Sequence, residues 1–257
     1  MPSLKIKPIK AFEDNYIWCL TNGETCAVVD PGDAKPVIRY CKRNNLQLTD
    51  ILITHHHSDH TGGLSDLLEA FGDINVFGPT NPNIQAINQR LTDGDNIELA
   101  SLGISLNIIE VPGHTLDHIA YVGPCGLFCG DTLFSAGCGR LFEGTPRQMY
   151  QSLSRLMSLD DDTQVYCTHE YTLANIKFAQ AAEPNNEALL NYKGWAESQR
   201  VDLKPTLPST IGQQKAINPF LRTNNKEVQQ RAEHFAGQAL ATPEAVFASL
   251  RAWKDNF

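Results

Sequence analysis

The segment Thr54-His55-His56-His57-Ser58-Asp59-His60 packs several metal-competent side chains into one short stretch, directly after the apolar run that ends at Ile53. In an extended segment alternate side chains share a face, so His55, His57 and Asp59 point together, His56 points away, and His60 swings in from the turn that follows. Imidazole and carboxylate donors without thiolate suit zinc, iron or manganese, and they mark an open catalytic site rather than a closed structural one. So dense a set behind a buried strand is poorly explained as a solvated polar turn.

Further ligands must come from elsewhere in the chain. His114 in Val-Pro-Gly-His-Thr, Asp131 in Cys-Gly-Asp-Thr and His169 in Cys-Thr-His-Glu each end an apolar run. If those runs are roughly aligned strands, their ends share an edge with the 54–60 loop. His118 opens a strand and reads as a hydrogen-bonded core residue or a neighbour of the site. His234, in a polar helix, reads as a surface residue. Asp30, in Val-Val-Asp-Pro-Gly-Asp, fits a turn-forming role and a ligand-orienting role equally well. Near the end, Arg251 and Lys254 lie i, i+3 on one helix face, beside a packing stripe of Val246, Leu250 and Trp253. Like charges so spaced repel mildly, and a carboxylate ligand relieves that.

The elements that must position these residues are legible in outline. Runs rich in Val, Ile, Tyr and Phe at 16–20, 26–29, 51–53, 75–77, 104–111, 119–122, 127–129 and 164–167 read as strands. Helices are expected from an Asp33 cap to Arg43, over 61–71, and from Thr145 with Pro146 to Ser158. Two strand groups separated by helices imply two packed sheets with helices outside, an α+β or α/β sandwich. After His169 only helical patterns remain, at 173–182, 187–199, 226–236 and 242–253, with prolines 205, 208 and 219 between. This places a domain boundary near residue 171, giving a metal-binding domain over 1–170 and a helical domain over 171–257.

Bulk properties exclude several classes. With 42% hydrophobic and 19% charged residues the 257-residue chain has ordinary globular usage. Seven cysteines without paired spacing favour a reduced, cytoplasmic protein. No stretch approaches the ~20 apolar residues of a membrane span, and the N-terminus lacks a secretory apolar core. A formal charge of −8 disfavours nucleic acid as a partner. Residues 1–170 carry 11 Lys+Arg against 21 Asp+Glu, a net of −10, while residues 171–257 carry 10 against 8, a net of +2. An acidic front half is compatible with ligation of cations, a mildly basic back half with an anionic substrate.

The series His55, His56, His57, Ser58, Asp59, His60, then His114, Asp131 and His169, resembles the metal pattern of the metallo-β-lactamase superfamily. The resemblance extends along the chain to one branch, the glyoxalase II (hydroxyacylglutathione hydrolase) family. It rests on Phe12-Glu-Asp-Asn-Tyr16, the run from Cys129 to Arg140, Glu143-Gly144, His169 to Thr172, Asn218-Pro-Phe-Leu-Arg222 and the ending Arg251 to Phe257. It implies an αββα sandwich of two mixed sheets with flanking helices and a C-terminal helical, glutathione-binding domain. It also implies two divalent metals, zinc foremost with iron or manganese as alternatives. His55, His57 and His114 would hold one metal, Asp59, His60 and His169 the other, and Asp131 would bridge, with Asp59 and Asp131 as the catalytic carboxylates.

By the same resemblance Arg140, Phe142, Tyr171, Arg251 and Lys254 would face a glutathione thioester, and the reaction would be the second step of methylglyoxal degradation; for the oligomeric state, a monomer is the default expectation. Arg140 stands where lysine also occurs in the family, Phe142 where tyrosine can occur, and Asp117 where glycine is common. A persulfide dioxygenase of the same fold would need a single iron. A lactonase or β-lactamase would not need the basic helical tail, and a catalytically silent interaction module would be expected to have lost ligands that are all present here.

Overall fold

The computed structural model describes residues 4–257, and these divide into two compact units, 4–110 with 117–130 and 111–116 with 131–257. The chain enters the second unit for six residues at 111 and for good at 131.

The first unit opens with β1 (Lys5–Ala11), β2 (Asn15–Thr21) and β3 (Thr25–Val29), followed by α1 (Ala34–Asn44) and β4 (Gln47–Leu52). A one-turn helix α2 (Ser58–Thr61), then α3 (Leu64–Phe71), β5 (Asn75–Pro79) and β6 (Gln89–Leu91) complete a six-stranded sheet in the order β1-β2-β3-β4-β5-β6. β1 to β3 pair antiparallel through hairpins and β3 to β6 pair parallel, so the sheet is mixed. Parallel neighbours need a crossover, and α1 and α3 supply them between β3, β4 and β5. One face, carrying Ile17, Cys19, Val28, Ile51 and Ile53, is sealed by Val37 and Cys41 of α1 and Leu64 and Leu67 of α3. Asp33 caps α1, its carboxylate accepting from Lys35 N at 2.9 Å. The helix expected over 61–71 is interrupted by Gly62 and Gly63, which separate α2 from α3.

Four further strands, β7 (Asn96–Leu99), β8 (Ile104–Glu110), β9 (Ile119–Gly123) and β10 (Gly126–Gly130), form an antiparallel run. Ile119 N donates to Thr54 O at 2.9 Å and the buried Tyr121 hydroxyl donates to Ile53 O at 2.7 Å, which ties β9 to the segment leaving β4.

In the second unit β11 (Leu133–Phe134) and β12 (Gly137–Cys138) form a tight hairpin, followed by α4 (Pro146–Met157) with a Thr145/Gln148 capping box and Pro at its first position. β13 (Gln164–Cys167), α5 (Thr172–Ala182) and α6 (Glu187–Val201) come next. β14 (Ser209–Thr210) pairs antiparallel with β13 and leads into α7 (Ile211–Ile217), a single 3-10 turn (Pro219–Leu221), α8 (Lys226–Ala236) and α9 (Pro243–Asp255). Ile176 and Ala179 of α5 pack with Leu189, Tyr192 and Ala196 of α6 and Ile217 of α7. Phe178, Phe220 and Phe247 form an aromatic chain through this helical region. α9 is capped by Thr242, as its sequence predicts.

Candidate metal centre

In the first unit, β3 and β4 run parallel and release the chain at the same end, and the ligand loop begins there. Thr54 donates to Asp30 twice, from its backbone N and its hydroxyl, each at 2.8 Å. The Asp30 Oδ2 atom also lies 2.9 Å from Nδ1 of the fully buried His60. Asp30, with φ of 52°, is therefore a turn residue whose carboxylate lies against His60 Nδ1, while His60 Nε2 faces Asp59 Oδ2 at 3.5 Å.

His55 is fully buried. Its Nδ1 stands 3.0 Å from the Thr54 hydroxyl, its Nε2 lies 3.0 Å from His57 Nδ1, and its ring stacks on His118 with centroids 4.5 Å apart. His118 holds its own place through Nδ1 and Ile119 O, at 3.1 Å, and is a packing neighbour of the loop. His56 turns away from the loop's inner face to Asp117, at 2.9 Å, and Asn81 Nδ2 donates to the other Asp117 oxygen at 2.8 Å. Asp117 thus has a partner of its own in this chain.

The second unit presents His114, Asp131 and His169 around one atom. Asp131 Oδ2 lies 3.4 Å from His114 Nε2 and 3.4 Å from His169 Nε2. His114 Nδ1 is 2.7 Å from Arg140 O, and because a carbonyl can only accept, Nδ1 carries the proton and Nε2 presents its lone pair toward Asp131. His169 stacks flat on Tyr171, centroids 4.7 Å apart. Gly139 makes this arrangement possible: a Cβ there would sit 2.0 Å from Asp131 O.

These donors fit metal ions. A buried carboxylate oxygen shared evenly by two imidazole nitrogens, and in the first unit two imidazole nitrogens facing each other among buried polar groups, leave lone pairs that a cation would satisfy.

The residues expected to face substrate differ in exposure. Phe142 is exposed and meets the His114 ring edge-on at 5.2 Å, while Tyr171 is partly exposed. The Arg140 side chain is exposed, with Nε 3.4 Å from Asp255 Oδ1. Arg251 is only 5% exposed, and its guanidinium is engaged within the chain. Nη1 donates to Cys138 O at 3.0 Å, Nη2 donates to Asp255 at 2.8 Å, and the group lies over the Phe220 ring. Lys254 donates to Asn175 Oδ1 and also lies over Phe220, and burial pulls its ammonium pKa down to about 8, with the Arg251 cation pushing the same way. The sharing of one helix face by Arg251 and Lys254 holds, but packing rather than solvent surrounds the first. Asn15, Asn175 and Asp255 are polar partners that residue spacing alone does not single out. His234 lies on α8 beside Phe235 and Trp253, in a surface groove of about 370 Å³.

Among solved structures, ETHE1 from Myxococcus xanthus has a TM-score of 0.64 at 22% identity, with 98% of each chain covered. The BLEG-1 B3 metallo-beta-lactamase has a TM-score of 0.62 at 22% identity, covering 85% of this chain and 99% of its own. These likenesses are of fold, and the metallo-beta-lactamase superfamily matches residues 12–169. The hydroxyacylglutathione hydrolase C-terminus family matches residues 170–257. The hydroxyacylglutathione hydrolase of Shewanella halifaxensis is 52% identical over 257 residues, covering 99% of this chain and all of its own. That of Pseudomonas aeruginosa is 52% identical over 260 residues with the same coverage, and that of Nitrosomonas europaea 48% over 254 residues, covering 99% of this chain and 97% of its own. The chain belongs to the hydroxyacylglutathione hydrolase family of the metallo-beta-lactamase superfamily.

Proposed function

We propose that this chain hydrolyses S-(2-hydroxyacyl)glutathione thioesters, S-D-lactoylglutathione being converted to D-lactate and glutathione, with two divalent metals held by His55, His57, Asp59, His60, His114, Asp131 and His169. The observation that carries the site assignment is Asp131 Oδ2, equidistant from His114 Nε2 and His169 Nε2, which suits a carboxylate shared by two cations. Family membership over the whole chain supports the substrate. When bound, the metals supply Lewis-acid charge and lower the pKa of water toward 7.

The chain's residues then do the rest. Asp59 accepts a proton from the attacking water through its carboxylate and aims the oxygen at the thioester carbonyl carbon. As the C–O bond forms and the C–S bond breaks, glutathione leaves as a thiolate. Its reference pKa of about 8.5 makes it a good leaving group, so no strong general acid is needed. Arg140 and Lys254 attract the carboxylates of glutathione, and Phe142 and Tyr171 form apolar walls. Arg251 acts through its bond to Cys138 O, holding the loop that carries Arg140 and Phe142.

In this reading residues 1–170 are the metal-binding part and 171–257 the glutathione-binding part, a division supported by the meeting of the two family matches at 169/170. Zinc is the first candidate metal. A cytoplasmic location is in keeping with the seven free cysteines, and among the described residues no helix is long and apolar enough to cross a membrane.

The test is hydrolysis of S-D-lactoylglutathione by purified protein, followed as loss of thioester absorbance, with metal content measured on the same sample. Turnover that a chelator abolishes, with close to two metals per chain, is the expected result. A single iron without thioester turnover would reject the assignment in favour of persulfide oxidation.

A further inference from the structure

The motif Phe12-Glu13-Asp14-Asn15-Tyr16 takes no part in the ligand set, yet in the fold it forms the turn that joins β1 to β2. Phe12 adopts φ of 49°, a left-handed conformation uncommon for a residue with a large side chain, and the turn closes with Asn15 opposite Ala11 at the end of the β1–β2 ladder. The hairpin end delivers Asn15 to a specific place. The residue is 5% exposed, and Nδ2 donates to Asp59 Oδ2 at 3.1 Å, across 44 residues of sequence. A carboxylate only accepts, so the amide atom facing it is the nitrogen.

Asp59 needs such a partner. Its side chain is 39% exposed and it sits in α2, one turn of helix, so neither burial nor a long helix fixes its rotamer. Among the other candidate donors, His114 is held from behind by Arg140 O at 2.7 Å, and Asp30 Oδ2 lies 2.9 Å from His60 Nδ1. Asn15 donates to Oδ2, the same carboxylate oxygen that faces His60 Nε2 at 3.5 Å, so it acts directly on the atom turned toward the candidate ligand nitrogen and favours the ionised, accepting carboxylate.

We propose that Asn15 is the positioning residue for Asp59, so that the β1–β2 turn is part of the metal centre and sets the affinity of the metal that Asp59 would bind. This rests on the reading of Asp59 as a ligand. Metal-free wild type, Asn15→Ala and Asn15→Leu are titrated with zinc against a chromophoric chelator, and their Tm values are recorded. Leucine nearly matches asparagine in shape, so it keeps the packing and removes only the donor.

Both variants are expected to lose roughly 10–100-fold in affinity for one metal, the other staying within about twofold. In the metal-limited enzyme kcat should fall more than KM rises. Wild-type affinity for both metals in Asn15→Leu, or an equal loss of both that follows a fall in Tm, overturns the proposal. Asp59→Ala separates the two levels: two tightly bound metals in that variant would overturn the ligand reading itself, whereas loss of one metal there with none lost in Asn15→Leu would sink only the role of Asn15.

Discussion

Lys254 shows how one residue's surroundings set a functional range. Buried against Phe220 with Arg251 nearby, its ammonium has a pKa near 8, so the cation is present below that pH and lost as pH rises through it. In the folded state the charged form is the disfavoured one, so the burial costs stability below pH 8 and that cost disappears as pH approaches the unfolded value of 10.5. The proposed substrate recognition runs the other way, because it would use the cation. KM for the glutathione thioester should rise between pH 8 and 9.5 in the wild type. Lys254→Arg, charged throughout that range, should flatten the rise. A wild-type KM that stays constant to pH 9.5 would remove Lys254 from carboxylate recognition. Arg251, on the same helix face, is buried and donates to Cys138 O and Asp255.

Among the elements, the loops that carry ligands are pinned by backbone contacts too close for any side chain. A Cβ on Gly32 would lie 1.9 Å from Asp59 O, so the turn after β3 presses directly on the ligand helix α2. Gly32→Ala should therefore displace that helix, and its metal content and thioester turnover should both collapse while far-UV circular dichroism changes little. Unaltered metal content would show that the two loops tolerate separation. The strands bearing on the site were legible because they are buried on both faces and read as continuous apolar runs: β2 and β10 have no exposed residue. β1 was not legible. It is an edge strand with Pro8 and three lysines, and only Ile9 and Ala11 become buried, so its composition resembles a polar leader more than a strand. The two-residue strands β11, β12 and β14 and the seven-residue helix α7 escaped for a related reason, being too short for a periodic pattern to repeat.

For the molecule as a whole, stability and metal binding are linked, because the seven candidate ligands span residues 55 to 169. Removing metal with a chelator should lower Tm, since a ligand held at 1,000 times its Kd contributes about 4 kcal/mol to the folded state. An unchanged Tm would mean that the ligand loops are already rigid without metal. Elsewhere the helical region has its own polar anchor. Arg222 donates to both oxygens of Glu183 at 2.7 Å, with the Glu183 side chain 4% and the Arg222 side chain 26% exposed. Arg222→Ala should destabilise toward the low end of the roughly 3–5 kcal/mol typical of an orphaned buried charge, since Arg222 is partly solvated. Thermal unfolding would report a loss below about 1 kcal/mol if the pair behaved as a surface bridge.

Sequence by itself determined the donor types, their position at the ends of apolar runs, the caps of the principal helices and the helical character of the tail, because each is written in local spacing and periodicity. Only the tertiary structure decided which oxygen of Asp131 meets two histidines, that Asp30 lies against His60, that Arg251 is buried, and that Asn15 reaches Asp59. Those contacts join residues from 17 to 113 positions apart. Which partner a donor finds depends on how strands, turns and glycine-sized approaches bring distant backbone together, and no local pattern encodes that.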